Sequence, residues 1–275
     1  MESFSADWLA LREPADHAAR SRALTAAVAA ALADRPATRA VDLASGTGSN
    51  VRYLMPRLPH VQHWTLVDHD PALLAQAWRL LTPLGQAAGR SFDVRSGDLT
   101  ALDTVSLDGC ALVTASALLD LVSEDWLRAL ARRCREAGVA VLFGLTYDGR
   151  IECDPVDADD ERVRALVNRH QHGEKGFGPA LGPDAASVAD ACFRAEGYAV
   201  QVAASDWMLT PDMRELQRAL VEGWAGAAKE MAPGDAAPID AWRARRLAHI
   251  DAGRSSLRVG HQDLAAWAGG DARQT

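Results

Sequence analysis

The sequence predicts an α/β fold in which a parallel sheet carries helices on both faces. Strand and helix patterns alternate five times between Arg39 and Leu145, and such alternation builds parallel sheets from crossover units. The fifth strand pattern, from Val139 to Leu145, is an almost unbroken apolar run, as expected for a strand buried on both faces. The first pattern leads directly into a glycine-containing loop and a helix start, within Ala40 to Asn50. Ligands of such sheets bind at the carboxyl ends of the strands, so we expect the functional site there.

The helices are predicted from apolar periodicity and from residues that begin or end helices. Alanine-rich residues 15–34 place larger apolar side chains every four residues and end before Pro36. Pro71 suits the first turn of the helix after the second strand. Ser123 caps the helix after the fourth strand, and Gly138 ends it. The predicted helices cover residues 15–34, 51–58, 71 onward, 124–137, 183–196, 210–224 and 238–250.

Strands are predicted over residues 39–43, 62–67, 91–94, 111–114, 139–145, 198–203 and 256–260. Between the fifth and sixth strands, residues 146–182 are polar and rich in Asp and Arg, which favours an active-site loop. The segment Trp8 to Pro14 is expected to break helical structure; it is either a solvated helix start or a flap over the ligand loop. Residues 269–275 are expected to form a frayed tail.

Composition limits the class of protein. The chain has 275 residues, 48% of them apolar, which suffices for one large domain. A formal net charge of -8 argues against nucleic acid or an anionic membrane as the main partner. The four cysteines lack metal-ligand spacing, so we expect reduced thiols and a cytoplasmic protein. The N-terminus lacks the features of a signal peptide, and no apolar run approaches the ~20 residues that span a membrane.

Acidic residues stand at three neighbouring strand ends. Asp42 lies near the end of the first strand, Asp68 ends the second, and Asp98 follows the third. An acid after the second strand is well placed to accept hydrogen bonds from two ribose hydroxyls. The glycine loop is not a full dinucleotide fingerprint and has no phosphate-binding lysine. These features favour a nucleoside without phosphates over NAD or ATP.

At these positions the sequence resembles the class I S-adenosylmethionine-dependent methyltransferases. Residues 41–48, Val-Asp-Leu-Ala-Ser-Gly-Thr-Gly, are similar to the family's first motif, with Ala44 in place of its first glycine. Residues 67–71 resemble the second motif, residues 97–99 the third, strand 111–116 the fourth, and Gly197-Tyr198 the pair that precedes strand six. The resemblance implies a Rossmann-like, seven-stranded, mostly parallel sheet with helical additions near the C-terminus.

The resemblance also implies a cofactor, S-adenosyl-L-methionine, and residues that hold it. Gly46 and Gly48 would pass close to its methionine part, Asp42 would support its amino group, and Asp68 would bind its ribose. Asp98 would accept from the adenine amino group, with Leu99 packed on the ring, and Ser116 would lie near the methyl. Arg12 or Arg20 would pair with the carboxylate from an N-terminal helix. The implied cofactor set is Arg12, Arg20, Asp42, Ala44, Gly46, Gly48, Asn50, Asp68, His69, Asp98, Leu99 and Ser116.

A hydroxyl acceptor needs a general base, whereas a neutral amine does not. The candidates are Asp120 just past strand four, Tyr147, His170 and His172. Asp120 is equally compatible with a helix-start acid, and the two histidines are more typical of an exposed loop than of a metal site, so no metal is predicted. Trp207 and Trp224 either shape an apolar substrate pocket or belong to the core.

The resemblance implies one domain over residues 1–275. Within it, 1–36 form an N-terminal helical lid, 37–206 the cofactor-binding core, 147–182 and 211–252 substrate-side insertions, and 253–268 the last strand region. The leading hypothesis is a methyltransferase acting on a small molecule; a protein or peptide acceptor is the second. The alternatives are a non-catalytic S-adenosylmethionine-binding partner protein and a nicotinamide-dependent oxidoreductase. The sequence leaves the acceptor and the oligomeric state open.

Overall fold

A computed structural model describes residues 4–33 and 38–268. Its sheet has the strand order β3-β2-β1-β4-β5-β8-β6, with β7 paired to β8. Strands β1 to β5 run parallel, and β8 is antiparallel to β5, β6 and β7. The strands are β1 (Thr38–Leu43), β2 (Val61–Asp68), β3 (Ser91–Ser96), β4 (Cys110–Ser116), β5 (Ala140–Asp154), β6 (Tyr198–Ala204), β7 (Trp207–Leu209) and β8 (Ser256–Ala268).

This order confirms the Rossmann-like, mostly parallel sheet, with β7 as an additional short strand. The α-helices are α1 (Ala6–Ala19), α2 (Arg22–Ala31), α3 (Ser49–Leu54), α4 (Pro71–Ala88), α5 (Glu124–Ala137), α6 (Asp160–Gln171), α7 (Ala185–Ala195), α8 (Arg214–Met231) and α9 (Ala236–Asp251).

The central strands separate two apolar clusters, one on each face of the sheet. Val41 and Leu43 of β1 face one cluster, with α5 and α7, whereas Ala40 faces the other, with α2, α3 and α4. Alternate residues of a strand point to opposite faces, so one short strand contributes to both cores. This burial fixes the register of β1, which positions the loop after Leu43.

The predicted helix over residues 15–34 was wrong, because two helices occupy this region. α1 begins at Ala6 and includes Pro14, and the chain turns at Arg20. Ser21 then caps α2 by accepting a hydrogen bond from the backbone N–H of Leu24. A capping serine in an alanine-rich stretch was the missed signal. Pro36, the predicted stop, lies outside the described residues, as does the predicted tail over 269–275.

The predicted long active-site loop over 146–182 was also wrong. β5 continues to Asp154, and α6 occupies much of the remainder. The acids Asp160 and Glu161 lie in the first turn of α6, and its polar exterior conceals the buried pair Val163 and Val167. That pair is spaced four residues apart, which is the spacing of one helix face. The polar residues on the exposed side of α6 gave the segment the composition of a loop.

The extensions of β5 and β8 carry a third apolar cluster beyond the sheet centre. It joins Trp207 of β7 with residues of α1, α6, α8 and α9, including Trp224 and Trp242. α1 therefore packs on this cluster while also covering the carboxyl ends of the parallel strands. None of the helices in the described ranges combines the length and apolarity needed to cross a bilayer.

Candidate active site

A cavity of about 1040 Å³, counting its open mouth, lies at the carboxyl ends of β1, β2 and β4 and beside Leu145 within β5, beneath α1. Its lining residues are Phe4, Leu9, Arg12, Asp16, His17, Arg20, Ala44, Ser45, Gly46, Thr47, Ser49, Asn50, Asp68, His69, Leu73, Ser116, Ala117, Leu118, Leu121, Leu145, Lys175 and Phe177.

The floor of the cavity is the loop after β1, held to the end of β2. The backbone N–H of Gly46 donates to Asp68 Oδ2 over 2.8 Å, and Asp70 N–H donates to Asp68 Oδ1 over 2.9 Å. Ser45 N–H bonds the carbonyl of Val67. Asp68 is buried, yet a carboxylate has about four acceptor positions, so its two backbone bonds leave two, and His69 Nδ1 lies 3.3 Å from Oδ1. The loop can therefore be held closed while the acid still accepts from a ligand.

Three non-glycine residues with left-handed backbone conformations line this cavity. They are Ala44, Ala117 and Leu145, with φ of 50°, 52° and 56°. Such conformations cost about 1 kcal/mol or more each for residues with a Cβ, and they concentrate at functional sites. Ala44, the departure from the glycine motif, thus adopts an angle that glycine would adopt freely.

Behind the loop, Asp42 is fully buried and holds Asn50. Its Oδ1 accepts from Asn50 Nδ2 and from Thr114 Oγ1, each over 2.6 Å. Burial raises the pKa of Asp42 to about 6, and these two hydrogen bonds oppose the rise. Its Oδ2 has no partner among the described residues. Asp42 does not line the cavity, whereas Asn50 does. Asp42 therefore affects the cavity only through the Asn50 side chain that it holds.

Arg20 is a buried cation of the cavity wall. Its Nε donates to Asp263 Oδ2 over 3.0 Å, and its Nη1 donates to Asn50 Oδ1 over 2.5 Å. Nη2 is buried with no partner in the described part of the chain. The guanidinium lies against Gly144 of β5, where a Cβ would be 2.4 Å from Arg20 Cζ. A buried guanidinium nitrogen without a bond favours an anionic ligand group.

α1 is attached to the loop and to α3 along its length. Glu13 forms an ion pair with Arg52, with Arg52 Nε 2.8 Å from Glu13 Oε1. His17 Nε2 lies 3.1 Å from both the carbonyl oxygen and the hydroxyl of Ser49. A Cβ on residue 46 would lie 2.9 Å from Leu9 Cδ1. α1 therefore packs directly over the loop after β1, and we call this helix the roof of the cavity.

Asp120 lies on the single helical turn Leu119–Leu121, between the wall residues Leu118 and Leu121, and does not itself line the cavity. Burial raises its pKa to about 6, while backbone N–H groups and the charges of Arg12 and Lys175 oppose the rise. Its Oδ1 has no hydrogen bond within the described residues. A carboxyl group with this pKa is ionised at neutral pH and retains appreciable basicity, as a general base requires.

The other three catalytic candidates also lie off the cavity wall, and His172, at the end of α6, has its Nε2 3.9 Å from Asp184 Oδ2. The Tyr147 hydroxyl donates to Asn168 Oδ1 over 2.7 Å, and burial raises its pKa, so it stays protonated. His170 lies in the last turn of α6, where Nε2 is 3.1 Å from Glu230 Oε2 of α8. The structure does not bring His170 to the cavity wall, because the segment that was expected to be a loop is a helix packed on α8. No group of three or more potential metal ligands occurs in the described ranges.

Of the predicted cofactor residues, the structure brings eight to the cavity: Arg12, Arg20, Ala44, Gly46, Asn50, Asp68, His69 and Ser116. Gly48 instead faces Leu81, with 2.9 Å between its possible Cβ and Leu81 Cδ1, so it allows close packing on α4. Asp98 is exposed and accepts from Thr100 N–H, and Leu99 is buried beside Trp126. Neither Asp98 nor Leu99 lines the cavity.

Sequence reasoning missed several wall residues because their signals are not local. Asp16 and Leu9 reach the cavity only because α1 continues through Pro14. Lys175 and Phe177 come from the chain after α6. Asp263 on β8 holds three groups at once: Arg20 Nε, Ser21 N–H and Leu145 N–H. A hydrophobic strand containing one buried aspartate was the available signal for it.

Comparison with solved structures supports the fold. The cyclopropane synthase MmaA2 from Mycobacterium tuberculosis is 11% identical, covers 96% of this chain and 94% of its own, and superposes with a TM-score of 0.50. A SAM-dependent methyltransferase from Geobacter sulfurreducens in complex with S-adenosyl-L-homocysteine is 18% identical, with coverages of 98% and 100% and a TM-score of 0.48.

YjhP from E. coli is 18% identical, with coverages of 95% and 99% and a TM-score of 0.45. No protein-family model matches the chain, and no match was found among curated proteins. The likeness to MmaA2, at this identity, concerns the fold, and it agrees with the strand order described above.

Proposed function

We propose that the chain is an S-adenosylmethionine-dependent methyltransferase with a small-molecule acceptor. One observation carries the proposal: the loop after β1 is tied to Asp68 at the end of β2, and the same wall includes Arg20, whose buried Nη2 has no hydrogen-bond partner among the described residues. The arrangement offers carboxylate acceptors for a ribose and a cation for an amino-acid carboxylate, and no lysine-bearing phosphate loop.

The unpartnered atoms in this region fit the polar groups of the cofactor. Arg20 would hold the carboxylate, and Asp68 the ribose hydroxyls with the two acceptor positions that its backbone bonds leave. Asn50, oriented by Asp42, would accept from the amino group or donate to the carboxylate. Gly46 lets Leu9 of α1 pack closely on the loop, since a Cβ there would lie 2.9 Å from Leu9 Cδ1. His69 and Ser116 would line the remaining wall; Asp98 and Leu99 fall outside the proposed set.

When bound, S-adenosylmethionine supplies a methyl group activated on a sulfonium. The chain then has to align an acceptor and manage its proton. Asp120 would take the proton of a hydroxyl or protonated amine at its free Oδ1, in its ionised form. Leu118, Leu121 and Leu145 make the surrounding wall apolar, which excludes water from the acceptor atom. Tyr147, protonated and bonded to Asn168, would support β5 rather than act as a base.

A small-molecule acceptor agrees with the net charge of the chain and with the position of α1 over the cavity. The net charge of -8 disfavours nucleic acid, and α1 contributes Leu9, Arg12, Asp16 and His17 to the wall of the cavity. The four cysteines are free thiols, in keeping with the cytoplasm as the site of action. The division into a lid, a core and substrate-side segments remains part of this proposal.

The proposal is tested by incubating the protein with methyl-labelled S-adenosylmethionine and a metabolite extract, followed by mass spectrometry. We expect label in a low-molecular-weight product, together with formation of S-adenosylhomocysteine. The Asp68→Ala variant serves as the matched negative sample. Label found only in protein or RNA, or in none of these fractions, would refute the small-molecule methyltransferase.

A further inference from the structure

Arg12 is the second cation of the cavity wall, and it is held in one orientation. Its Nε lies 3.0 Å from Asp16 Oδ2, and its Nη2 lies 3.1 Å from Asp16 Oδ1. The Trp207 ring lies 4.9 Å from the guanidinium carbon, and the Trp207 Nε1 donates to Asp16 Oδ1 over 3.0 Å. Trp8 lies on the guanidinium as well, at 6.0 Å. The side chain is thus preorganised, which lowers the entropic cost of a further bond.

This fixed guanidinium still has N–H groups that can donate a hydrogen bond to a ligand. All three hydrogen bonds to Asp16 come from Nε and Nη2, and Nη1 makes no hydrogen bond to any described residue. The side chain is only 12% exposed, and it lines the cavity. A nearly buried guanidinium edge is best satisfied by a planar oxyanion such as a carboxylate.

Arg12 and Arg20 serve different parts of the cavity. Arg20 bonds Asn50 in the first turn of α3, whereas Arg12 packs on Trp207, whose ring lies 4.9 Å from that of His261, the β8 residue paired with Tyr147 of β5. The charges of Arg12 and Lys175 both act on Asp120, the proposed base. An anionic group bound by Arg12 therefore lies near the proposed acceptor position rather than at the methionine position.

The residues that line the cavity with Arg12 indicate the chemistry of the rest of the ligand. Phe4, Leu121 and Phe177 line the cavity together with Lys175. A cationic group would be repelled by the Arg12 guanidinium, and a neutral oxygen would accept a weaker hydrogen bond from Nη1 than a carboxylate oxygen would. A small molecule with an apolar body and one carboxylate matches both the charge and the lining.

We infer that the acceptor is a small apolar molecule bearing a carboxylate, and that Arg12, assisted by Lys175, binds that carboxylate. The inference rests on the proposed function, because it assigns the other end of the cavity to the cofactor. It makes Arg12 a specificity-determining residue and leaves the cofactor carboxylate to Arg20.

The experiment measures binding by calorimetry and saturation-transfer NMR with S-adenosylhomocysteine present at saturation. The probes are two matched pairs, benzoate with benzamide and hydrocinnamate with hydrocinnamide. The proteins are the wild type, Arg12→Gln, Arg12→Lys, and Arg128→Gln as a control on the exposed face of α5. Thermal unfolding of each variant verifies that it is folded.

We expect at least one acid to bind the wild type about tenfold more tightly than its amide, as one charge-assisted hydrogen bond allows. Arg12→Gln should abolish this preference, Arg12→Lys should keep part of it, and Arg128→Gln should keep all of it. Equal binding of acid and amide, no binding by either acid, or a preference that survives in Arg12→Gln would overturn the inference.

The titration with S-adenosylhomocysteine alone distinguishes failure of the proposed function from failure of the inference about the acceptor. If the wild type does not bind S-adenosylhomocysteine, the proposed function fails. If it binds, and Arg12→Gln retains that affinity within about twofold while the acids show no preference, only the inference about the acceptor fails.

Discussion

At the β1–β2 end of the cavity, the wall is held by bonds between residues close in sequence, whereas at the β4–β5 end it is held by bonds between distant ones. Gly46 and Asp68 are 22 positions apart. By contrast, 191 positions separate Asp16 from Trp207, and 243 separate Arg20 from Asp263. We call these the cofactor end and the acceptor end, with Arg20 at their junction.

The difference separates a backbone site from a side-chain site. At the cofactor end the ligand-facing groups are a glycine loop and one carboxylate, which need little beyond a strand register. At the acceptor end they are long side chains from α1 and from the chain after α6, oriented by α1, β7 and β8. Substitution at either end should therefore affect different measurements, and the following predictions are ways to test that separation.

The largest effect is expected at the acceptor end, from Asp120→Asn. Removing the proposed base should lower kcat/KM about 1000-fold for a hydroxyl acceptor while cofactor affinity stays within about twofold. The measurement is steady-state kinetics with the acceptor identified by labelling, beside a calorimetric titration. A loss below tenfold would show that Asp120 does not take the proton.

The same residue predicts the pH dependence of the wild type. The pKa of Asp120 is raised to about 6, and only its ionised form can accept a proton. Log kcat/KM should therefore fall with a slope of one per pH unit below about pH 6 and level off above it. The residual activity of Asp120→Asn should not show this fall in kcat/KM below about pH 6. If the fall persists in that variant, it reports the titration of another group.

At the cofactor end, Asp68→Ala should weaken S-adenosylhomocysteine binding about 100-fold. The substitution removes the ribose acceptor and also the bonds from Gly46 and Asp70, each worth about 1.5–3 kcal/mol when the acceptor is charged. Asp190→Ala, on the exposed face of α7, is the matched control. An unchanged affinity in Asp68→Ala would mean that the end of β2 is not the ribose site.

Arg20→Gln tests the junction between the two ends. Loss of the proposed carboxylate donor should weaken S-adenosylhomocysteine binding about tenfold, and Asp263 would then lack its cation. Arg20→Lys separates charge from geometry and should recover part of the affinity. If Arg12→Gln weakened this binding more than Arg20→Gln did, the assignment of the two arginines would have to be exchanged.

The smallest effect is expected from the roof. Glu13→Gln removes a partly exposed ion pair with Arg52, which contributes less than about 1 kcal/mol. We expect S-adenosylhomocysteine to dissociate about threefold faster by stopped flow, with little change in the association rate. Glu124→Gln breaks a comparable exposed pair on α5 and should leave the dissociation rate unchanged.

The same contrast explains what could be predicted from the sequence. The order of strands, the loop at Gly46 and the acid at Asp68 follow from short patterns, and the structure places them together. α6 was mistaken for a loop because charged residues surround its buried pair, Val163 and Val167. Its misplacement brought His170 into the catalytic candidates.

The acceptor end could not be predicted because its contacts depend on tertiary structure. Pro14 suggested a break, whereas bonds from Glu13 and His17 to α3 and its loop hold α1 against it. The buried Asp263 orders Arg20 and the strained Leu145 from the far end of the chain. No local pattern relates these residues, so their roles appear only when β8 has been placed beside β5.

A calorimetric titration of the wild-type protein with S-adenosylhomocysteine and, separately, with NAD tests the central claim most directly. The account predicts one binding site for S-adenosylhomocysteine in the micromolar range or tighter and no measurable binding of NAD. Tighter binding of NAD than of S-adenosylhomocysteine would contradict it.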